Sequence, residues 1–337
     1  MRKFFITGGA GFIGSAFVKL LLEEIPDSVV TNFDALTYAG NLDNLEGLDP
    51  ARHRFVRGDI CDREAVLAAL AEGTEAVVNF AAESHVDRSI ASADEFLRTN
   101  VLGTQALLDA ARARHVRRFV QVSTDEVMGS LPEDASAFFT EASPFEPNSP
   151  YAASKAAAEH LVRAAAHTHG LDSVTTRCGN NYGPRQFPEK LIPLVIANAL
   201  AHQPIPVYGD GRQVRDWIYV EDHCRAILRA LEKGRAGEAY NIGARNERRN
   251  LEVVESILDA LDRPRSLIKY VPDRPGHDRR YAIDATKVET ELGWRPRETW
   301  ETGLGKTIEW YAANPAWIAR AQSGEYREFY ARQYGAL

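Results

Sequence analysis

Two short groups of side chains have the types and spacing for proton and hydride chemistry. Ser123-Thr124-Asp125-Glu126 closes the apolar run Phe119-Val120-Gln121-Val122, a pattern that predicts a buried strand with two carboxylates at its tip. Tyr151 and Lys155 open the alanine-rich segment farther on and fall one turn apart on one helical face. Adjacent carboxyl groups can divide the work of acid and base when their surroundings push their pKa values apart. A free tyrosine titrates at about 10, so a cation at Lys155 is expected to help depress it toward a useful base. Each group alone also has an ordinary reading: a solvated turn for Asp-Glu, helix packing for Tyr-x-x-x-Lys. The rest of the chain decides, by supplying a cofactor on one side and a substrate on the other.

A strand tip needs a sheet, and the first half of the chain reads as one. Phe4 to Thr7 is a short apolar strand, and Gly8-Gly9-Ala10-Gly11-Phe12-Ile13-Gly14 follows at once, before a helical pattern from Ser15 to Glu24. Glycines let the backbone approach a pyrophosphate, and the helix start offers its free N–H groups to that anion. The strand Val29 to Phe33 ends at Asp34, an acid able to accept from ribose hydroxyls and to repel a 2′-phosphate, so NAD is preferred over NADP. A third strand, Arg54 to Arg57, leads to Asp59-Ile60, where the acid either faces an adenine or forms a solvated turn. A fourth, Ala76 to Phe80, runs into Ala81-Ala82-Glu83-Ser84-His85, and a long helix is expected from about Asp94 to Arg114. The basic end of that helix, Arg112 to Arg118, suits a helix C-terminus better than nucleic acid. Five strand–helix repeats before residue 170 predict an α/β fold with a doubly wound, Rossmann-type parallel sheet. Ligands of such sheets bind at the carboxyl ends of the strands, where all these groups fall.

After Gly170 the pattern loosens into a strand, Ser173 to Thr176, and a series of loops. The expected division is a cofactor domain over residues 1–176 and a smaller mixed α/β substrate domain over 177–337, with later segments free to return to the first. Lys190, Arg215 and Arg274 punctuate the loops; together they suit a clamp on a phosphorylated substrate, although each alone suits a surface ion pair better. Trp310 to Tyr334 reads as helical, aromatic packing. A net charge of −7 argues against general affinity for nucleic acid. Cys61, Cys178 and Cys224 form no Cys-x-x-Cys pair, which favours a reducing compartment. The strand-like start at Lys3 leaves no room for a signal peptide, and no apolar run nears the ~20 residues that span a bilayer. The expected location is the cytoplasm. His167 and His169 and the other histidines form no convincing metal constellation.

Together these motifs resemble the extended short-chain dehydrogenase/reductase family, and within it the nucleoside-diphosphate-glucose 4,6-dehydratases, most often acting on dTDP-D-glucose. The likeness covers nearly the whole chain. Its generic part is the glycine turn with Tyr151 and Lys155; its discriminating part is Ser123-Thr124-Asp125-Glu126-Val127. Phe80 to Ser89, Asn180 to Pro184, Pro188 to Pro193 and Asp273 to Asp278 support it. The chain departs from the family at Met128, usually Tyr, at Gly179, usually Ser, and at Arg185, often aromatic. The resemblance implies tightly bound NAD that is recycled each turnover, contacted by Gly8, Gly11, Phe12, Ile13, Gly14, Asp34, Ala35, Leu36, Thr37, Asp59, Ile60, Phe80, Ala81, Ala82, Ser84, Thr99, Tyr151, Lys155 and Asn181. It implies that the nucleotide sugar meets Ser84, His85, Thr124, Asp125, Glu126, Asn180, Lys190, Leu191, Pro206, Val207, Tyr208, Arg215, Asn250, Asp273, Arg274 and His277. Its catalytic set is Thr124, Asp125 as acid, Glu126 as base, Tyr151 and Lys155; it implies a homodimer as well. The competing readings are a nucleotide-sugar epimerase or decarboxylase of the same fold, and an NAD-binding regulator without catalysis.

Overall fold

The computed structural model describes residues 1–133, 136–323 and 330–331. Six strands come in the first half and just beyond it: β1 (Arg2–Thr7), β2 (Ser28–Asp34), β3 (His53–Arg57), β4 (Ala76–Asn79), β5 (Arg118–Thr124) and β6 (Ser173–Cys178). The remainder supplies β7 (Asn180–Tyr182), β8 (Ile205–Tyr208), β9 (Val214–Tyr219), β10 (Ala239–Ile242), β11 (Glu247–Arg249) and β12 (Ile268–Val271). Among the described residues a seven-stranded sheet runs β10-β6-β5-β4-β1-β2-β3, every pair parallel. Helices cover both faces of such a sheet, so its central strands are apolar without alternation: β4 is buried at every position. The predicted doubly wound sheet is the observed one.

Strand order reverses between β1 and β4, and a crevice opens at their carboxyl ends. The helix Phe12–Glu24 leaves β1 there, burying Phe17, Val18, Leu20 and Leu21 against the sheet. The chain beyond residue 177 returns to this layer three times: the helix Val220–Lys233 packs on Phe12–Glu24, β10 extends the sheet beside β6, and the helix Thr286–Leu292 packs on Val220–Lys233 and β10 with Val288 and Leu292 in the same core. The rest of the second half builds the smaller sheets, β11-β9-β7 and the parallel pair β12-β8. Their core is aromatic, with Tyr182, Trp217, Trp300, Tyr311 and Trp317 buried together.

Two expected helices differ in detail. The Asp94–Arg114 segment contains a π-helical stretch, Leu97–Gly103, before the regular helix Thr104–Ala113. Within it Asn100 is fully buried; its Oδ1 accepts from the Glu83 N–H at 2.9 Å and its Nδ2 donates to the Glu83 carbonyl at 3.0 Å. That clamp fixes the loop after β4. The C-terminal aromatic segment is broken: Trp300–Ala313 stops at Asn314, and Pro315–Ala321 follows as a separate helix, because Pro315 has no N–H to continue the ladder. Part of the predicted stretch, 324–329 and 332–334, lies outside the described residues. No described helix is long and apolar enough to cross a membrane.

Candidate active site

A cavity of about 490 Å³ follows the crevice from the glycine turn to the loops of the second half. At its first end the backbone forms a cradle. Gly8 has φ +68°, and a Cβ there would lie 2.6 Å from the Ala81 nitrogen; a Cβ at Gly14 would collide with the Gly8 carbonyl. Glycine alone fits both places, so backbone faces an incoming phosphate. Asp34 accepts from the Ala10 N–H at 2.9 Å and the Leu36 N–H at 2.8 Å. Burial pushes its pKa up and those two bonds pull it back, leaving lone pairs on each oxygen for ribose hydroxyls. This cradle and acid fit a dinucleotide.

Gly11, Phe12, Ile13, Ala35, Thr37, Ile60, Phe80, Ala81, Ala82, Ser84 and Thr99 line the same cavity, with Gly8, Gly14 and Asp34. Leu36 does not line it; its backbone turns with φ +54° beneath Asp34. Asp59 reaches the lining, with its carboxylate already bonded to the Cys61 N–H at 2.9 Å and to Arg98 at 3.1 Å. Asn181 lines it as well. Its amide donates to the Gly179 carbonyl at 3.1 Å, so its Oδ1 accepts from His223 Nδ1 at 2.8 Å. His223 is buried and held neutral, its pKa lowered to about 3.

The catalytic candidates meet at the middle of the crevice. Thr124 ends β5 and caps the short 3-10 turn Asp125–Met128, accepting from the Glu126 N–H at 3.3 Å. Its hydroxyl also donates to Asp125 Oδ1 at 3.3 Å and is hydrogen-bonded to Tyr151. Tyr151 and Lys155 ride on the helix Pro150–His169, whose start is set by Ser149 accepting from the Ala152 N–H at 3.1 Å and by Pro150 in the first turn. Thr124, Glu126, Tyr151 and Lys155 line the cavity. Asp125 lies just behind the lining, 1% exposed, and its Oδ2 has no hydrogen-bond partner among the described residues.

The two carboxyl groups differ in their surroundings. Burial is the main influence on Asp125 and pushes it well above the carboxylate range, with the Glu126 and Asp216 charges adding and Arg215 opposing. Burial also raises Glu126, but Arg274, Arg215 and Lys190 all pull it back. Asp125 is the one built to hold a proton. The expectation for Tyr151 needs correction as far as the protein's own groups go. Its pKa is raised well above 10, first by burial and then by Glu126, with Thr124 opposing. Lys155 is itself buried, its pKa lowered to about 8, and its Nζ donates to the Val122 carbonyl at 2.7 Å. A lysine spent on a backbone carbonyl does not offset the cost of a buried phenolate beside a carboxylate.

At the far end Lys190 donates to the Ser84 carbonyl at 2.8 Å, joining the two halves across the cavity. Arg215 donates to the Val214 and Asp278 carbonyls at 2.8 and 2.9 Å and stacks 4.2 Å from the centre of the Tyr281 ring. His85, Asn180, Leu191, Pro206, Val207, Tyr208, Asn250, Arg274 and His277 complete the lining. Asp273 stands outside it: its carboxylate takes the Arg274 N–H at 2.9 Å, His277 at 2.6 Å and Gln213 at 3.0 Å, so it shapes the loop. Of the departures, Met128 is buried among Val127, Phe139, Ala156 and Tyr281, away from the cavity. At Gly179 a Cβ would sit 2.6 Å from the Asp216 carbonyl oxygen, so β9 packs closer than a serine allows. Arg185 lies 5.3 Å from the centre of the Trp310 ring. Sequence reading passed over Glu189, whose buried carboxylate accepts from Tyr38 at 3.1 Å and lies 3.9 Å from both Arg88 and Lys190. Its one signal was its place beside Lys190. No group of three or more His, Cys, Asp or Glu among the described residues is placed to hold a metal ion.

The sequence profile described as GDP-mannose 4,6 dehydratase matches residues 5–307. The chain belongs to that family. It is 55% identical to the dTDP-glucose 4,6-dehydratase of Xanthomonas campestris pv. campestris (strain B100), over 97% of this chain and 98% of the relative. The crystal structure of DesIV, a dTDP-glucose 4,6-dehydratase from Streptomyces venezuelae solved with NAD bound, superposes with a TM-score of 0.92 at 50% identity, covering 95% of this chain and all of that one. A UDP-glucose 4-epimerase of Thermus thermophilus, in complex with NAD, reaches 0.86 at 32% identity, covering 92% of this chain and 99% of that one. One fold thus serves more than one reaction, and the resemblance read from the motifs is borne out.

Proposed function

We propose that the chain is an NAD-dependent hydro-lyase that converts dTDP-glucose to the 4-keto-6-deoxy sugar. The observation that carries the reading is the pair at the tip of β5: a proton-holding Asp125 just behind the cavity wall and a cation-stabilised Glu126 that lines the cavity with Tyr151. Bound NAD would supply the hydride acceptor for C4, the hydride donor for C6 and a positive charge that offsets the cost of ionising Tyr151. Gly8, Gly11, Gly14 and Asp34 would hold it. Tyr151 takes the 4-hydroxyl proton, with Thr124 hydrogen-bonding the same hydroxyl. The new ketone acidifies C5; Glu126 removes that proton while Asp125 gives its own to the departing C6 hydroxyl, which leaves as water. Glu126 then returns its proton to C5. Tyr151 has gained the proton that Asp125 lost, and the Thr124 hydroxyl, bonded to both, is the short route between them.

The test is incubation with dTDP-, UDP-, CDP- and GDP-glucose without added reductant, followed by the appearance of the 4-keto product. Turnover of dTDP-glucose ahead of the others is expected; failure with all four in NAD-loaded protein sinks the reading. An epimerase or decarboxylase would keep its chemistry in Glu126→Gln, which separates those alternatives. We place the protein in the cytoplasm, in keeping with three unpaired thiols. We further infer a homodimer: Leu97 and Leu102, five positions apart on the π-helical stretch, are 49% and 63% exposed, and a second copy would cover them.

A further inference from the structure

Asp87 lies in the first turn of the helix Val86–Ala91, on the cofactor side of the cavity, and its carboxylate reaches across to the other side. Oδ2 accepts from the Tyr208 hydroxyl at 3.0 Å, and Oδ1 lies 3.5 Å from an Arg274 guanidinium nitrogen. The Asp87 side chain is 9% exposed and that of Arg274 22%, so the pair is partly buried. Tyr208 ends β8, and Arg274 follows β12; those two strands pair only with each other among the described residues. One carboxylate from the first half therefore fixes two groups of a small ribbon that the large sheet does not reach. The Nε of Arg274 is buried and without a hydrogen-bond partner among the described residues. With one guanidinium nitrogen turned to Asp87, that Nε is a donor held ready for an acceptor on a ligand.

Resting on the functional reading above, we propose that Asp87 is a positioning residue for the nucleoside-diphosphate end of the substrate, acting through Tyr208 and Arg274. It holds the Tyr208 ring as a surface for the nucleotide and aims the Arg274 donors at it, and it takes no part in the proton transfers at the sugar. Charge alone predicts the opposite. A carboxylate near a diphosphate repels it, so a bystander Asp87 would bind nucleotide better once neutralised. The two accounts differ in sign.

The experiment measures steady-state turnover of dTDP-glucose and equilibrium binding of dTDP for wild type, Asp87→Asn, Asp87→Ala, Tyr208→Phe and the Asp87→Ala/Tyr208→Phe double variant. Asp87→Ala is expected to raise KM and the dTDP Kd about tenfold, the loss of one charge-assisted contact, with kcat near the wild-type value. Asp87→Asn, which keeps an acceptor for Tyr208, should recover part of that loss and serves if the alanine variant does not fold. Tyr208→Phe should weaken dTDP binding in the wild-type background and have little further effect in Asp87→Ala. Unchanged or tighter dTDP binding in both Asp87 variants, a fall in kcat at constant KM, or additive single effects would overturn the proposal while leaving the dehydratase reading intact. Wild-type protein that neither binds dTDP nor turns over dTDP-glucose would overturn both.

Discussion

Asp125 and Glu126 are adjacent in the chain and opposite in surroundings. One backbone step puts Glu126 into the cavity facing Arg274, Arg215 and Lys190, and turns Asp125 into the protein with an unpartnered Oδ2. A buried carboxyl group opposed by Arg215 alone keeps its proton; one facing three cations gives it up more readily. The sign for activity follows. Glu126 must be ionised and Asp125 protonated, so kcat/KM should fall on the acid side at a pH above the ordinary carboxylate range, since burial raises Glu126. It should fall again on the alkaline side as the pair loses its second proton. The two limbs belong to the coupled pair. A pH–rate profile checks both limbs, and an acid limb at or below about pH 4 would contradict the burial argument. Glu126→Gln should lower kcat by about 10²- to 10⁴-fold, the usual worth of a general base, measured as release of the 4-keto product.

Among the elements, the helix Pro150–His169 matters most for the site, since it carries Tyr151 and Lys155. It is locked to the sheet by a buried ion pair: Arg177 on β6 donates to Glu159 at 3.0 and 3.2 Å, and both side chains are nearly inaccessible. Removing one member strands the other charge. Arg177→Ala should therefore destabilise the fold by about 3–5 kcal/mol, read from urea unfolding, whereas Arg177→Met with Glu159→Leu should recover most of the loss. A single-variant loss below about 1 kcal/mol would mean that water reaches the pair. Lys155, one turn before Glu159, is raised by that carboxylate and lowered by burial, so the ion pair also tunes the charge beside Tyr151.

The whole molecule is a large parallel sheet with a smaller aromatic-cored layer folded over its crevice, and the two are joined through the site. Lys190 to Ser84, Tyr38 to Glu189 and Tyr208 to Asp87 all cross it. A protein whose halves meet at the ligand should become more rigid when the ligand is bound. Its outer face has its own unmet need, the exposed Leu97 and Leu102. Leu102→Glu should shift the inferred dimer to monomer in analytical ultracentrifugation, because a charge replaces an apolar contact worth about 1.5–3 kcal/mol per side chain. Wild-type protein that sediments as a monomer would dispose of the dimer instead.

Much of this was legible in the sequence, for reasons of periodicity and local chemistry. Apolar runs of strand length, the glycine turn that only glycine can make, the acid at the end of β2 and the Asp-Glu pair at the end of β5 are local patterns. The rule that parallel sheets bind at carboxyl ends gathers them into one crevice. Tertiary structure decided what depends on which side a chain segment faces. It turned Asp125 inward and Glu126 outward, spent Lys155 on the Val122 carbonyl, used Asp273 to brace its own loop and buried Met128 away from the cavity. It also brought Asp87, Glu189 and His223 to work that no spacing announces, since their partners lie far away in the sequence. Local sequence sets which groups a segment can offer; only packing of distant segments sets their burial, their partners and hence their charge.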